Sequence, residues 1–134
     1  MNQRGFATLE VILMVTVIAI LAAIAVPRFS SITTAANTAR VQSDLTTLDT
    51  AAAIYAMENG TEKDSLSISE DLKNYLQDSA NIKPPIGDVY LDSGEGKMTI
   101  ADGTLYEVKQ DDNGDYRATL NGHTAGEFKK KSST

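Results

Sequence analysis

The chain has 134 residues, enough for one modest domain, and it contains no Cys and a single His. Disulfides, thiolate metal sites and a His-based metal cluster within one chain are therefore excluded. Twelve basic against eighteen acidic residues give a formal net charge of -6. This balance argues against nucleic acid as a direct partner, because binding phosphates needs Lys and Arg.

The first element is the apolar run Val11–Val26, which carries no charge. Extended back to Phe6, it contains one charge, Glu10, and a helix of this length spans about 30 Å, the thickness of a bilayer core. Residues 6–27 are therefore predicted to form a membrane-spanning helix. A secretory signal peptide and a plain membrane anchor are the alternatives. An acid inside the apolar region fits neither, since it costs about 2.5–3.5 kcal/mol near a helix centre.

A short polar leader, residues 1–5, precedes the stretch Phe6-Ala-Thr-Leu-Glu10. Leader, Phe, Glu and apolar run together closely resemble the class III signal of the type IV pilin-like family, which comprises type IV pilins, type II secretion pseudopilins and competence pilins. The residue after Phe6 is Ala, where the family more commonly has Thr. The resemblance is specific over residues 1–27. It implies that a prepilin peptidase cleaves between Gly5 and Phe6 and methylates the new N-terminus.

The same resemblance implies where the chain lies and what it contacts. It implies a single pass through the cytoplasmic (inner) membrane with a cytoplasmic N-terminus, and then a place in an extracytoplasmic or cell-surface filament. The implied partners are further copies of the chain in a helical filament, the peptidase, membrane lipid before assembly, and an inner-membrane assembly platform with its ATPase. A structural subunit of a type IV pilus is the favoured function. A pseudopilin of a short periplasmic filament, which commonly lacks a disulfide, and a competence pilin assisting DNA uptake are the alternatives.

Glu10 has a physical role in this hypothesis. Cleavage would leave an α-amine on Phe6, which titrates near 8 and is mostly cationic at neutral pH. A carboxylate at Glu10 is costly in lipid unless it is paired. If copies stagger along a filament, the Phe6 amine of one copy can pair with Glu10 of its neighbour. Phe6 and Glu10 are therefore the predicted assembly residues, and the alternative is that Glu10 reaches the lipid headgroups.

The helix is predicted to continue to Asn59, where Asn59-Gly60 is a stop signal. Pro27 predicts a bend or local weakness, because proline removes a hydrogen bond and clashes with the preceding turn. A helix end at Pro27 is the alternative, which the continuing periodicity disfavours. Residues 28–59 are predicted to be the amphipathic half. Apolar residues recur there at spacings of three and four: Val41, Leu45, Leu48, Ala52 and Tyr55, with Ile32, Ala35 and Ala39 upstream. Thr34, Gln42 and Asp49 are expected on the opposite, polar side.

Residues 60–128 carry fourteen acids and six basic residues and are predicted to be an acidic globular head. Ser67-Ile-Ser-Glu70 fits a capping box at the start of a short helix, Ile68–Leu76. An antiparallel β-meander should follow and pack on the amphipathic half of the helix, which gives an α+β fold. Its predicted strands are Val89–Leu91, Lys97–Ala101, Thr104–Lys109 and Tyr116–Leu120, with hairpin turns at Asp102-Gly103 and Asn113-Gly114. Its predicted inward residues are Met98, Ile100, Leu105, Tyr106 or Val108, Ala118 and Leu120.

The head offers one weak candidate for a Ca²⁺ site, formed by Asp111, Asn113 and Asp115. The spacing of an EF-hand fails, because its sixth and twelfth positions would be Tyr116 and Gly122, so a solvated hairpin turn is favoured and no metal or other cofactor is expected. Further expectations are an exposed His123 and a flexible basic tail at 129–134. No phosphate loop, nucleophile elbow or acid–base pair is present in the sequence, and the chain is not expected to be an enzyme.

Overall fold

The computed structural model describes residues 3–132. One long helix, α1 (Gln3–Asn59), is followed by five short strands and a 3₁₀ helix. These are β1 (Ser65–Leu66), β2 (Gly87–Tyr90), β3 (Lys97–Ile100), β4 (Glu107–Gln110), β5 (Tyr116–Thr119) and the 3₁₀ helix Ala125–Glu127. The strands form a three-stranded antiparallel sheet in the order β1-β4-β5 and a two-stranded antiparallel sheet β2-β3. The predicted α+β class, with a long N-terminal helix and a small antiparallel sheet region packed against it, is confirmed.

The chain divides into two compact units, an N-terminal unit, Met1–Thr33, and a C-terminal unit, Thr34–Thr134. α1 runs through Pro27, so the alternative of a helix end at this residue is wrong. The bend at Pro27 stays a prediction. The helix ends where expected, because Gly60 takes a φ of 81° and its N–H donates to the carbonyl of Ala56 at 2.9 Å. A left-handed glycine at this place closes the last turn.

The buried stripe of α1 is confirmed from Val41 to Ala52, and Tyr55 is half-buried beside it. Upstream, the prediction is wrong: Ile32, Ala35 and Ala39 are exposed, and the buried residues are Thr34 and Thr38. Counting back from Val41 by three and then by four residues, the helical spacing of the buried stripe gives positions 38 and 34. Hydroxyls are tolerated there because the Thr38 Oγ1 donates to the Thr34 carbonyl at 2.6 Å and accepts the Tyr90 N–H at 2.8 Å.

The predicted short helix at 68–76 is not formed, and this stretch is a series of turns. Asp71, not Glu70, bonds back to Ser67: the Ser67 N–H donates to the Asp71 carboxylate at 2.8 Å, and the Asp71 N–H donates to the Ser67 carbonyl at 2.8 Å. These two bonds close one turn without continuing into a helix. Leu72 is nevertheless fully buried and joins this segment to the core.

The predicted single meander is also wrong, because the strands divide into two sheets. β4 pairs with β1 on one edge and with β5 on the other, which leaves no edge for β3. Asp102-Gly103 therefore connects the two sheets instead of closing a hairpin, and Leu105 is 61% exposed instead of inward. The β4–β5 hairpin at Asn113-Gly114 is confirmed. β1 was not predicted, since two residues carry no readable alternation.

The core lies entirely in the C-terminal unit. It joins the stripe of α1 to the inward residues of both sheets and to Phe128 near the C-terminal end. Ile100, Ala118 and Leu120 are buried as predicted, and Met98 is half-buried against them. Tyr106 and Val108 are both buried, where only one of the two was expected inward.

Candidate assembly surface

The N-terminal unit exposes an apolar helix surface. In the most apolar eighteen-residue window of α1 no residue is buried, and by length and composition the helix is able to cross a membrane. Hydroxyl groups in this stretch are satisfied inside the helix. The Thr8 Oγ1 donates to the Arg4 carbonyl at 2.9 Å, and the Thr16 Oγ1 donates to the Ile12 carbonyl at 2.8 Å. The surface therefore presents almost only hydrocarbon, which needs an apolar environment.

The predicted processing and assembly residues lie in the first turns of α1. Gly5 and Phe6 are adjacent, and Phe6 is 63% exposed. Glu10 follows four residues later, so it shares a helix face with Phe6. Within residues 3–132 the carboxylate of Glu10 makes no hydrogen bond or ion pair. Met1 and Asn2 of the predicted leader lie outside the described residues.

The C-terminal half of α1 uses polar side chains to bind strand backbone, which the sequence analysis missed. In β2, the backbone N–H and C=O groups of Asp88 and Tyr90 point away from β3 and towards α1. The Tyr90 N–H donates to the Thr38 hydroxyl, and the Asp88 carbonyl accepts a bond from Asn37 Nδ2 at 3.3 Å. At the outer edge of β5, the Ala118 N–H donates to the Asp49 carboxylate at 2.7 Å. The helix thus bonds to one outer edge of each sheet, that of β2 and that of β5.

Two further polar residues of the helix, Gln42 and Asp44, also bond to the head. Gln42 Nε2 donates to the carbonyl of Phe128. The Tyr106 hydroxyl donates to the Asp44 carboxylate at 2.7 Å, and burial, with this hydrogen bond, strongly raises the pKa of Tyr106. Gln42 and Asp49 were predicted on the solvent side of the helix. The sequence did contain one signal for these bonds. The N–H and C=O groups on the outer edge of each predicted strand need a hydrogen-bond partner, and polar side chains on the helix can supply it.

The far end of the helix carries a tyrosine cluster. Tyr55 lies edge-on to Tyr75 and Tyr116, with ring centroids 6.1 and 6.2 Å apart. The Tyr75 hydroxyl donates to the Glu58 carboxylate at 2.5 Å, and this bond raises the pKa of Tyr75. Asn59 Nδ2 donates to the same hydroxyl at 3.1 Å. These contacts attach the last turn of α1 to the segment 67–76.

Asp71 and Lys63 form an ion pair next to this cluster. The Lys63 ammonium, with the Ser67 N–H, holds the pKa of the Asp71 carboxyl below its usual value. The same hydrogen bond raises the pKa of Lys63. The pair fixes the turn that replaces the predicted short helix.

The weak candidate for a Ca²⁺ site, Asp111, Asn113 and Asp115, lies in the β4–β5 turn, where Asp111 is hydrogen-bonded within the hairpin. Asp111 Oδ1 accepts the N–H groups of Asn113 and Asp115 at 2.9 and 3.1 Å, and Asp111 Oδ2 lies 3.8 Å from Arg117 Nε. Among residues 3–132 no three His, Cys, Asp or Glu side chains are arranged to hold a metal ion. The carboxylate of Asp111 thus stabilises the β4–β5 turn.

The expectation that His123 is exposed is wrong. His123 is half-buried: its ring meets Phe128 edge-on, and its Nδ1 lies 3.3 Å from Glu127 Oε1. The Thr124 N–H, with His123, lowers the pKa of Glu127. Burial of Phe128 brings the tail back onto the head.

Residues 129–131 are held to the loop 92–94. Lys129 Nζ lies 3.2 Å from the Asp92 carboxylate, and Lys131 Nζ donates to the Gly94 carbonyl at 3.1 Å. These contacts lie within the predicted tail 129–134, whose flexibility stays a prediction. Residues 133 and 134 lie outside the described part of the chain.

In comparisons by sequence and by structure, no family model, curated protein or solved structure matches this chain. The function is therefore argued from the geometry and from the N-terminal sequence.

Proposed function

We propose that this chain is a structural subunit of a type IV pilus filament and that it polymerises through the N-terminal half of α1. The observation that carries the proposal is an exposed apolar helix surface, interrupted by the single carboxylate of Glu10, on a chain whose core lies wholly in its C-terminal unit. Such a surface needs lipid or further copies of itself. The resemblance of residues 1–27 to the pilin-like signal supports copies.

In this proposal the five leader residues are removed and Phe6 becomes the methylated N-terminus. Before assembly the apolar half lies in the cytoplasmic membrane, where water and headgroups reach Phe6 and Glu10 near the interface. In the filament the same half is enclosed by its copies. The amine of one copy then pairs with Glu10 of the next, and small residues such as Ala19, Ala22 and Ala23 allow close helix approach.

A pseudopilin of a short periplasmic filament is the second candidate, since the chain has no Cys with which to close a loop in the head. A competence pilin is the third. The net charge of -6 weighs against direct DNA contact in that role.

Electron microscopy of sheared surface material, from wild-type cells and from a strain lacking the gene, tests the proposal. Long filaments that disappear with the gene and contain the chain are expected. Filaments confined to the periplasm would contradict the pilus proposal and favour the pseudopilin alternative. Absence of any filament, with a chain that keeps Met1 in peptidase-positive cells, would leave a plain membrane anchor.

A further inference from the structure

Charge is unevenly distributed along the C-terminal unit. One end lies beside α1 residues 37–42, where Thr38 bonds to Tyr90, Arg40 donates to the Lys83 carbonyl at 3.2 Å, and Gln42 bonds to Phe128. We call this the basic end, after the six cations gathered there: Arg40, Lys83, Lys97, Lys129, Lys130 and Lys131.

Most acids at the basic end already have a bonded partner. Asp88 accepts a bond from Thr99 at 2.6 Å, Asp92 pairs with Lys129, and Glu127 accepts the Thr124 N–H at 2.7 Å. Asp44 accepts the Tyr106 hydroxyl and lies 3.8 Å from Arg40, and Asp78 accepts Asn81 Nδ2 at 2.9 Å. Glu95, in the loop before β3, is the exception within residues 3–132. By contrast, within residues 3–132 the ammonium groups of Lys83 and Lys130 make no ion pair. Cationic groups without partners therefore face solvent at this end.

The opposite end lies beside the last turn of α1. Tyr116 contacts Tyr55 and donates to the Lys63 carbonyl at 2.8 Å, and the Gln110 N–H donates to the Asp64 carbonyl at 2.9 Å. The β4–β5 turn follows directly. We call this the acidic end, after its six carboxylates: Glu58, Glu62, Asp64, Asp111, Asp112 and Asp115.

Few cations oppose these carboxylates. Lys63 is bonded to Asp71, and Arg117 lies near both Asp49 and Asp111. The side chains of Asp112 and Asp115 make no hydrogen bond or ion pair within residues 3–132. From Thr38 to Tyr55 the helix rises about 26 Å, so the two ends lie well beyond a screening length of about 8 Å.

We infer that the basic end of one copy binds the acidic end of the next copy along the direction of α1. The inference rests on the proposed function, because a filament of parallel copies brings opposite ends together. A head-to-tail contact of this kind joins two different patches, which have to be complementary. Contacts between like regions of an acidic head would repel, so the charge distribution favours this one arrangement over sideways contacts.

Charge reversal in the full chain tests the contact. Asp112→Lys and Lys130→Glu, each alone, should lower the filament yield about tenfold at about 0.1 M salt, because each places like charges against each other. The double variant Asp112→Lys/Lys130→Glu should return the yield to within about twofold of wild type, since the contact is rebuilt with reversed signs.

Glu107→Lys is the matched control. Glu107 is exposed in β4, bonds to Lys109 at 2.7 Å and faces Thr119 at the end of β4 remote from the β4–β5 turn, and its reversal makes the same change of charge as Asp112→Lys. It should change the yield by less than about twofold. A double variant no better than the single ones, or a control reduced as strongly, would overturn the inference.

A cross-link separates this contact from the filament itself. The chain has no Cys, so Asp112→Cys with Lys130→Cys introduces the only two thiols. Oxidation should give a ladder of cross-linked copies, whereas either single variant stops at dimers. Wild-type filaments without a ladder, together with fully active single reversals, would reject the contact and keep the proposed function. A ladder from membranes of cells that make no filaments would keep the contact and reject the pilus.

Discussion

The two halves of α1 form one continuous helix but differ in burial. Residues 3–33 are the more apolar half and are exposed, whereas residues 34–59 contain many polar residues and contribute a full stripe to the core. Hydropathy alone would have ranked their burial the other way round. The difference teaches that a helix is buried by what packs on it. The second half has a partner in its own chain, and the first half needs one from outside.

The sharpest way to break this comparison is to remove the first half. A chain that starts at Arg28 keeps every core residue and loses the apolar run. We expect it to be soluble and monomeric, because the surface that requires lipid or further copies is gone. Size-exclusion chromatography with light scattering measures this. Stable oligomers at micromolar concentration would place the assembly contacts mainly in the head.

Glu10→Ala changes the first half alone. In the proposed function the carboxylate of an unassembled copy lies near the membrane interface, so its removal should leave insertion and cleavage unchanged. In the proposed filament its removal would leave the Phe6 amine enclosed without a partner, which costs about 3–5 kcal/mol, as for a broken buried ion pair. We expect a loss of about a hundredfold or more in the equilibrium for adding a copy.

The yield of filaments after sedimentation, with the mass of the processed N-terminus, measures the effect of Glu10→Ala. Glu10→Asp is the control that keeps the charge, and it should retain part of the yield. Normal filaments from correctly processed Glu10→Ala would show that another group pairs with the Phe6 amine.

Leu45→Ala and Leu13→Ala make the same change in the two halves. Leu45 is fully buried in the core, whereas Leu13 is 63% exposed. We expect Leu45→Ala to lower the free energy of unfolding of the C-terminal unit by about 2–5 kcal/mol and Leu13→Ala to leave it unchanged. All five Tyr lie in the C-terminal unit and the chain has no Trp, so near-ultraviolet circular dichroism of the detergent-solubilised chain follows this unit selectively. Equal effects would mean that the halves are not independent.

The same contrast explains how far sequence reasoning reaches. The long helix, its stop at Gly60, the stripe from Val41 to Ala52 and the hairpin at Asn113-Gly114 follow from local patterns, and each is confirmed. The division into two sheets does not follow, because it depends on β1 taking the free edge of β4, and β1 is only two residues long.

The positions of polar residues on the helix were the second feature that the sequence failed to predict. Asp49 and Gln42 look like solvent-facing residues in a helical projection, and only the positions of distant backbone groups show that they are bonded. For the exposed first half, the processing and assembly roles rest on the sequence of residues 1–27. They stay predictions, because residues 3–132 of one copy contain no partner for the carboxylate of Glu10.

Asp49→Ala tests whether polar residues hold the second half in place. It leaves the Ala118 N–H, on a fully buried residue, without its acceptor. A buried unsatisfied donor costs about 1–3 kcal/mol, and we expect the free energy of unfolding to fall by this amount. Thr47→Ala is the control, because its hydroxyl bonds only to the Ser43 carbonyl within the helix, and it should change little. Equal stabilities of the two variants would show that water replaces the acceptor.

The smallest expected effect concerns pH and the turn that replaces the predicted short helix. Lys63 and the Ser67 N–H lower the pKa of the Asp71 carboxyl in the folded chain. A folded pKa below the unfolded one stabilises the fold fully above the unfolded pKa, near 4, and this contribution is lost as pH falls through the folded pKa. Asp71→Asn removes the titration but keeps the shape. Its unfolding temperature should therefore fall less than that of wild type between about pH 5 and about pH 2.5.

The difference for Asp71→Asn should be small, because the Lys63 side chain is 53% exposed and water screens the pair. Asp112→Asn is the matched control: its carboxylate has no bonded partner within residues 3–132, so its pH profile should follow that of wild type. The N-terminal unit should contribute nothing to either profile when tyrosine dichroism is the signal, since it contains no Tyr. An Asp71→Asn profile that follows the wild type would assign the acid sensitivity of the C-terminal unit to other carboxylates, first of all Glu127, whose pKa is lowered by the Thr124 N–H.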